Sequence, residues 1–261
     1  MHLIIKIDSI CDDYMVDDYI SLRTIRKINE GKYGSVYLTN YEDYVIKILK
    51  NIPSNHFLTE IEAFNKLKKI TNYPPNLVKY IACGKVSECD KVKYKNKKVL
   101  LMKKYNEFFT LYPELKSIPL IFYNDYKSFI IKFIYKLLNV NKFIEDELNA
   151  VNIDIKLHNI MTDNKDIIVI DLGMLIEYKK EGVIIENLSN YIIWPYGKTN
   201  LKYIANYSVA IVAMYILFKN KKYDIELDNN IKIILKILLA RKYDTTYAID
   251  FMKEHFPNEL K

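Results

Sequence analysis

Cysteine, glycine and long apolar runs are all scarce in this sequence. The three cysteines, Cys11, Cys83 and Cys89, are odd in number and irregularly spaced. They predict neither a disulfide framework nor a zinc site, so we expect no disulfide-linked partner. The longest apolar stretch, Ser208–Phe218, has eleven residues. Because a helix of that length is too short to cross a bilayer, the stretch predicts a buried core helix and no membrane span.

The amino-terminal stretch MHLIIKIDSI is not typical of a signal peptide. It lacks a basic start, and Lys6 and Asp8 interrupt its apolar run. We therefore expect an intracellular, cytoplasmic protein. Ile, Asn, Lys and Tyr are frequent, which fits an AT-rich coding genome, as in some parasites and large DNA viruses. A viral protein would act in the cytoplasm of its host cell.

Positive charge exceeds negative charge by 7, and much of the excess lies in Lys91–Lys104. An excess of positive charge favours anionic partners. The first interpretation of this stretch is a solvated hairpin rim, and the second is a docking patch for nucleic acid or an acidic protein. The stretch lacks the spaced aromatic residues of an RNA-binding sheet. Nucleic acid is therefore a disfavoured partner, although the stretch leaves it open.

The pattern of apolar residues changes near residues 103–107. The 261 residues, half of them apolar, suit one large domain or two lobes. Before the change, Val-, Ile- and Tyr-rich runs with glycine turns predict antiparallel strands. Apolar residues at every third position from Leu58 to Leu67 predict one helix among them, with Ser54 or Asn55 as its cap. After the change, long amphipathic stretches predict helices, so the fold class is α+β.

Two of the six glycines, Gly31 and Gly34, lie between strand-like runs. A turn without side chains can cover phosphate groups, although an ordinary hairpin explains the glycines as well. Lys47 follows within an apolar strand, where a lysine is costly unless it meets an anion or snorkels to water. Glu60 and Glu62 are candidates to hold it. Helix residues two apart point about 200° apart, and Glu60 shares the apolar face, so we prefer Glu60.

A polar cluster of Asp154, Lys156 and Asn159 lies between apolar residues. Asp171 follows it, directly after the apolar strand IIVI and before Leu172 and Gly173. Carboxylate and amide oxygens are ligands that Mg²⁺ prefers, and a carboxylate can also accept the proton of an attacking hydroxyl. The lysine supplies positive charge for a transferred phosphoryl group. The cluster therefore suits phosphoryl transfer.

Taken together, these motifs resemble a eukaryotic-type protein kinase. The glycine loop of that family matches NEGKYGSV, with Asn29 at the first glycine, and its strand-lysine motif matches YVIK. The turn after its helix matches PPNLV, its catalytic loop matches NIDIKLHN, and its metal motif matches DLG. With Glu60 as the helix glutamate, six motifs stand in family order between Ile28 and Gly173. The chain thus resembles the small, divergent serine/threonine kinases of this family, among which are viral kinases.

The resemblance implies one bilobal domain that binds ATP and Mg²⁺. The N-lobe, about residues 1–104, would be an antiparallel sheet with one helix, and the C-lobe, about residues 105–261, would be mainly α-helical.

The implied roles follow the matched motifs. Gly31, Gly34 and Val36 would cover the nucleotide, Lys47 held by Glu60 would contact its phosphates, and Met102 would lie behind adenine. Asp154 would orient the substrate hydroxyl, Lys156 would neutralise the γ-phosphate, and Asn159 and Asp171 would hold Mg²⁺. A lysine two residues after the aspartate is the serine/threonine pattern, so the implied partner is a protein substrate with a Ser or Thr acceptor.

The sequence departs from the family pattern at five places. Ile153 replaces the arginine that pairs with a phosphorylated activation loop, and Asn152 replaces a histidine, which predicts a structural loss. Ile192–Lys198 stands where the family has its Ala-Pro-Glu motif. The buried-helix aspartate aligns with Ala205. The arginine that pairs with the glutamate of the Ala-Pro-Glu motif in family members is not evident near Asp244–Tyr247. These changes affect residues that support the fold and hold the protein substrate. They leave in place the residues that the resemblance assigns to the phosphates and to Mg²⁺.

Two alternatives to an active protein kinase stay open. A pseudokinase would act as a nucleotide- or protein-binding module, and it predicts erosion of Lys47, Asp154, Asn159 or Asp171, which the sequence does not show. A small-molecule kinase of the aminoglycoside or choline type shares the Asp-x-x-x-x-Asn spacing. That group usually lacks a lysine two residues after the aspartate, so Lys156 and the PPNLV turn argue against it.

Overall fold

The computed structural model describes residues 1–10, 18–31, 33–50, 58–111, 113–178, 203–219 and 226–261. The chain divides into two compact units: unit 1 consists of Met1–Tyr73 and Val78–Tyr105, and unit 2 of Pro74–Leu77 and Asn106–Lys261. Strands dominate unit 1 and helices dominate unit 2. The predicted mixed α+β class is confirmed, whereas the single two-lobed domain stays a prediction.

Among the described residues of unit 1, six antiparallel strands form a closed barrel. They are β1 (His2–Ile10), β2 (Tyr19–Glu30), β3 (Gly34–Thr39), β4 (Tyr44–Leu49), β5 (Tyr80–Cys89) and β6 (Lys98–Lys103). Their order is β1-β2-β3-β4-β6-β5, and β1 closes the barrel by pairing with both β2 and β5. An antiparallel sheet is predicted from the sequence, but its closure by β1 is not.

Strand β1 closes the barrel for two physical reasons. Its side chains alternate, so that Leu3 and Ile5 are buried and join the barrel core. On its other edge, the backbone of β1 comes very close to Gly84 of β5. A Cβ atom at residue 84 would lie 2.2 Å from the backbone oxygen of Lys6. Only glycine leaves room for β1 at this position, since any side chain would displace it.

The helix that the structure describes in unit 1 is α1 (Glu60–Leu67). Its cap is Thr59, whose hydroxyl accepts a hydrogen bond from the Glu62 backbone N–H at 3.3 Å. The Glu62 carboxylate accepts in turn from the Thr59 N–H at 2.7 Å, which completes a capping box. The predicted cap at Ser54 or Asn55 is therefore wrong, and both of those residues lie outside the described part of the chain.

Unit 2 is built mainly from helices. In the described residues they are α2 (Phe108–Leu111), α3 (Tyr126–Leu148), α4 (Ile204–Phe218), α5 (Asn229–Leu239) and α6 (Thr245–His255). Helix α4 contains the apolar stretch Ser208–Phe218, and most of its residues are buried, as predicted for a core helix. None of the described helices is both long enough and apolar enough to span a bilayer.

Short strands in unit 2 fix the loops that carry its polar cluster. They are β7 (Asn106–Glu107), β8 (Ala150–Asn152), β9 (Ile160–Thr162), β10 (Ile167–Val169) and β11 (Leu175–Glu177). One small sheet has the order β10-β9-β7, and β11 pairs with β8 in another. The connection from β8 to β9 includes a 3₁₀ turn at Leu157–Asn159. The polar cluster lies in this connection, and Asp171 lies in the connection from β10 to β11.

Candidate functional site

In unit 1, the structure places Lys47 beside Glu60. The Lys47 Nζ atom lies 2.5 Å from Glu60 Oε2, and the two side chains are only 7% and 3% exposed. A buried lysine or glutamate is strongly unfavourable alone, so each needs the other in this position. Glu62, the competing carboxylate, belongs to the capping box instead.

The barrel explains why Lys47 points away from the barrel core. Side chains alternate along β4, and its neighbours Ile46 and Ile48 belong to the barrel interior. Lys47 therefore lies on the outer face. Directly opposite it on the adjacent strands are Val36 of β3 and Leu100 of β6. Residues directly opposite share a face of the sheet, so the barrel gives Lys47 an apolar setting.

The same outer face carries Val36 and Met102, two residues expected near the nucleotide. Val36 is directly opposite Lys47 and is partly exposed. Met102 is opposite Val45, two residues before Lys47, and is 8% exposed. Because residues two apart on a strand point to the same side, Met102, Val45 and Lys47 share one face. The structure thus brings these predicted residues of unit 1 onto one surface.

The two glycines of the predicted phosphate loop differ in what they permit. A Cβ atom at Gly34 would lie 2.8 Å from the Ile48 backbone oxygen and 3.3 Å from Lys47 Cγ. Gly34 therefore leaves the space that the Lys47 side chain occupies. A Cβ atom at Gly31 would meet nothing closer than 4.0 Å. Space alone does not require glycine at position 31, whose N–H donates to the Gly34 carbonyl at 2.9 Å.

Tyr80 of β5 is a member of this cluster that the sequence does not reveal. Its hydroxyl donates a hydrogen bond to Glu60 Oε1 at 3.0 Å. Its ring packs edge-to-face against Phe64 of α1, with centroids 5.9 Å apart. From the sequence, position 80 has the pattern of an ordinary apolar strand residue. The local sign of a buried polar contact is that this residue is a tyrosine, whose hydroxyl usually finds a hydrogen-bond partner when buried.

In unit 2, the polar cluster predicted from the sequence forms around Asp154. The Lys156 Nζ atom donates to both carboxylate oxygens of Asp154, at 2.9 and 2.7 Å. The Asn159 side-chain nitrogen donates to the Asp154 backbone oxygen at 2.9 Å and to Oδ2 at 3.0 Å. Asp154 and Asn159 are 7% and 8% exposed. The loop thus holds one carboxylate in a fixed orientation between a cation and an amide.

Asn152, which stands at the position of the family's histidine, contributes one side-chain hydrogen bond to this loop. Its side-chain oxygen accepts a hydrogen bond from the Asp154 N–H at 3.0 Å, and the residue is 1% exposed. Asparagine forms such short-range bonds to backbone two residues ahead readily. Its neighbour Ile153 is completely buried. Position 153 is therefore part of the core and offers no cation for a phosphate group.

Asp171 lies in a backbone conformation that few residues adopt. Its φ is 63°, in the left-handed region that aspartate tolerates better than most residues. Its Oδ1 accepts a hydrogen bond from the Gly173 N–H at 3.1 Å. The preceding Ile170 N–H donates to the Asn159 backbone oxygen at 2.8 Å, which joins the two loops. Strained backbone held by its surroundings is common at functional sites.

The donor set in unit 2 fits a hard cation. Asn159 uses its amide nitrogen for Asp154, so its amide oxygen is the atom suited to a metal ion. With the Asp171 carboxylate it makes two oxygen donors, the number that Mg²⁺ usually takes from protein when phosphates and water supply the rest. In the described ranges, no group of three or more His, Cys, Asp or Glu side chains could hold a metal ion. A fully protein-made metal site is therefore not what this part of the chain offers.

A second polar network occupies the region where the family pattern departs. The Thr245 hydroxyl contacts Glu145 Oε1 at 2.6 Å and Asn206 Oδ1 at 3.1 Å. Burial raises the pKa of Glu145, against the opposing effect of the Thr245 hydrogen bond. Ala205, aligned with the family's buried aspartate, is fully buried beside Asn206. The segment Ile192–Lys198 lies outside the described residues.

The basic stretch Lys91–Lys104 covers the turn between β5 and β6 and strand β6 itself. Its lysines at 91, 93, 95 and 98 are exposed, and β5 and β6 pair antiparallel. This matches the predicted hairpin rim. The Tyr94 hydroxyl lies 2.9 Å from that of Tyr37, and this hydrogen bond, with nearby lysines, lowers the pKa of Tyr94.

Comparison with known proteins identifies the fold. Neither a protein-family model nor a curated protein sequence matches the chain. A solved structure does: ROP2 from Toxoplasma gondii, described as a virulence factor with a protein-kinase fold and no enzymatic activity. The two have a TM-score of 0.65 and 10% sequence identity, over 100% of this chain and 85% of ROP2. Such low identity shows the fold alone, and the fold of this chain is protein-kinase-like.

Proposed function

We propose that the chain is a serine/threonine protein kinase that uses ATP and Mg²⁺ and transfers the γ-phosphate to a protein hydroxyl. The observation that carries the proposal is the cluster around Asp154. A buried carboxylate with a fixed orientation, a lysine on both of its oxygens and an amide beside it are the groups that phosphoryl transfer needs.

Each residue of the unit 2 cluster has a separate task in this proposal. Asp154 orients the substrate hydroxyl and accepts its proton. Lys156, which contacts Asp154, places positive charge beside the transferred phosphoryl group. Asn159 and Asp171 hold Mg²⁺ through their oxygens. When bound, Mg²⁺ supplies charge that neutralises the phosphates. Lys156 is the second residue after Asp154, and this spacing supports Ser or Thr over Tyr as the acceptor.

The unit 1 residues bind and orient the nucleotide in this proposal. Lys47 contacts the phosphates, and Glu60 keeps its ammonium group in place. Gly34 leaves room for the Lys47 side chain, and with Gly31 it covers the phosphates. Val36 and Met102 form apolar surface for adenine on the face that Lys47 shares.

A pseudokinase is the second candidate, and the comparison favours it over the enzyme. ROP2 has a protein-kinase fold and is described as having no enzymatic activity. A pseudokinase of this fold would bind a nucleotide or a protein and transfer nothing. The two candidates differ in the transfer step alone when both bind nucleotide. The enzyme is supported by the presence of all four residues that a pseudokinase would be expected to lose, Lys47, Asp154, Asn159 and Asp171. An assay of phosphoryl transfer therefore distinguishes the two candidates.

The assay uses the full chain with labelled ATP, Mg²⁺, and a basic and an acidic protein substrate. We expect label on serine or threonine, and a rate reduced by about 10³-fold in Asp154→Asn, because the variant loses its proton acceptor. Asp171→Ala should abolish transfer and keep the fold. The matched control is Asp250→Asn, an exposed aspartate on α6, which should leave the rate unchanged.

The outcomes separate the candidates. Transfer that Asp154→Asn removes supports the kinase. A thermal shift with ATP and Mg²⁺ in a wild type that transfers nothing supports a nucleotide-binding pseudokinase. Transfer to an aminoglycoside or choline, and not to protein, would identify a small-molecule kinase. If the wild type shows neither a thermal shift with ATP and Mg²⁺ nor phosphoryl transfer, the result contradicts nucleotide binding, and with it both the kinase and the nucleotide-binding pseudokinase.

A further inference from the structure

We propose that Tyr80 is a positioning residue that holds Glu60 in the orientation in which it engages Lys47. The two oxygens of Glu60 have different partners. Oε1 accepts a hydrogen bond from the Tyr80 hydroxyl at 3.0 Å, and Oε2 lies 2.5 Å from Lys47 Nζ. Tyr80, Glu60 and Lys47 are 2%, 4% and 5% exposed, so water contributes little to these contacts.

A second partner matters because of how a glutamate side chain rotates. The last torsion of glutamate has a broad energy profile, so an ion pair to one oxygen does not fix the carboxylate plane. A hydrogen bond to the other oxygen does fix it. Inside a protein such a bond is stronger than in water, since the local dielectric is low. Tyr80 therefore restricts where Glu60 can hold the ammonium group of Lys47.

Tyr80 also contacts helix α1 at a second point. Its ring meets Phe64 edge-to-face, at 5.9 Å and an interplanar angle of 87°. Phe64 lies four residues after Glu60, on the same face of α1, and is fully buried. The hydroxyl thus contacts one turn of the helix and the ring contacts the next. Strand β5 clamps α1 through a single side chain.

The clamp gives unit 1 an internal means of keeping Lys47 paired. All of its members, Lys47, Glu60, Phe64 and Tyr80, belong to unit 1. We infer that the Lys47–Glu60 pair forms without a bound partner protein and without a phosphate group to order α1. A packing role alone would need the ring of Tyr80 and not its hydroxyl, and this difference makes the inference testable.

The test measures how fast an amine-specific acetylating reagent modifies Lys47 in the full chain, over a range of pH, with peptide mass spectrometry. Tyr80→Phe removes only the hydroxyl. We expect Lys47 to be modified about fivefold faster than in wild type, the factor that one net hydrogen bond of about 1 kcal/mol provides. Glu60→Gln, which removes the charge of the ion-pair partner, should give a still higher rate.

The matched control is Tyr37→Phe. Tyr37 is another buried tyrosine of unit 1, 8% exposed, and its hydroxyl lies 2.9 Å from the hydroxyl of Tyr94. The Tyr37→Phe variant loses a comparable hydrogen bond, and the partner of that bond is Tyr94 rather than Lys47 or Glu60. Its modification rate at Lys47 should equal that of wild type. Equal rates in Tyr80→Phe and Tyr37→Phe overturn the proposal.

Two unnatural residues at position 80 extend the test. p-Aminophenylalanine keeps a donor at the same place and should restore the wild-type rate; a rate like that of Tyr80→Phe would overturn the proposal. If Tyr80→Phe does not fold, p-fluorophenylalanine takes its place, since it fills the space of the hydroxyl without donating. Its rate must then exceed wild type, and a wild-type rate counts against the clamp.

The effect on nucleotide binding rests on the proposed function, but the modification of Lys47 does not. ATP with Mg²⁺ should protect Lys47 from the reagent in wild type. If Tyr80→Phe speeds modification and ATP gives no protection, the clamp stands and the proposed function fails. If ATP protects Lys47 and Tyr80→Phe has no effect, the proposed function stands and the clamp fails.

Discussion

The two units hold their polar clusters in different ways. In unit 1, Lys47, Glu60 and Tyr80 come from two strands and a helix, and 33 positions separate the first from the last. In unit 2, Asp154, Lys156 and Asn159 lie within six consecutive residues. The first cluster depends on how the barrel and α1 pack, and the second on local loop hydrogen bonds. A mutation should therefore affect stability and activity differently in the two units.

Solvent exposure sharpens the contrast. The side chains of Lys47 and Glu60 are 7% and 3% exposed, whereas Lys156 in unit 2 is 25% exposed beside Asp154 at 9%. When both charges of an ion pair are buried, their mutual attraction must offset the free-energy cost of removing each from water. A partly exposed lysine stays partly hydrated, so this cost is smaller. The unit 1 pair is consequently tied to the stability of the fold more strongly than the unit 2 pair.

The largest effect on stability should come from Lys47→Met, which leaves the Glu60 carboxylate buried without its cation. We expect a loss of about 3 kcal/mol in the free energy of unfolding, measured in urea. Lys156→Met should lose about 1 kcal/mol or less, because water reaches that pair. Equal losses would show that both clusters are equally coupled to folding, and the contrast between the units would be lost.

A smaller loss should follow Gly84→Ala, which tests the closure of the barrel. Its Cβ would overlap the Lys6 backbone oxygen, so β1 must shift or detach from β5. We expect about 2 kcal/mol of destabilisation, in the range of overpacking substitutions. Gly31→Ala is the control, since a Cβ there meets open space, and it should change stability by less than about 0.5 kcal/mol. Rapid hydrogen exchange of β1 amides in Gly84→Ala would locate the damage.

A pH effect should appear in unit 2 through Glu145. Burial raises its pKa above the ordinary value of 4.5, so the folded state keeps this proton to higher pH than the unfolded chain. Its contribution to stability is then complete below pH 4.5 and decreases as the pH rises through the folded-state pKa. Glu145→Gln should therefore gain stability over wild type near neutral pH and little in acid, by urea unfolding.

The control for this pH effect is Glu147→Gln, an exposed glutamate on the same helix. It should not alter the pH dependence of stability. A Glu145→Gln variant with the same pH dependence as wild type would contradict the assigned role of burial.

The smallest effect should be that of phosphorylation within residues 174–194 on the proposed phosphoryl transfer. Ile153 is buried and carries no charge for a phosphate to pair with. The candidate acceptors in the sequence from 174 to 194 are Ser189, Tyr178 and Tyr191, of which only Tyr178 lies in the described part. Phosphatase treatment and Ser189→Ala should leave the rate unchanged. A decrease beyond about tenfold would implicate another cation, with Lys179 and Lys180, both outside the described residues, as the first to mutate.

Local and long-range order explain what could be predicted from the sequence. Asp154, Lys156 and Asn159 meet because a short loop brings them together, and their spacing alone indicates it. The choice of Glu60 over Glu62 also follows from helical geometry. Tyr80 could not be found this way, because nothing near it in the sequence identifies a carboxylate on α1 as its partner. Likewise, β1 closes the barrel by pairing with β5, a strand far along the chain, so this pairing leaves only a weak local pattern.

The closed barrel also bears on how unit 1 folds. In the pairing of β1 with β5, Ile5 meets Val86, so about 80 residues of chain must be in place before the ring can close. Contacts between such distant residues carry a large loop-closure entropy and slow folding. Until then, β1 has an unpaired edge, which other chains can join. Unit 1 is therefore expected to refold more slowly than the helical unit 2 and to be most prone to aggregation before Gly84 and β1 meet.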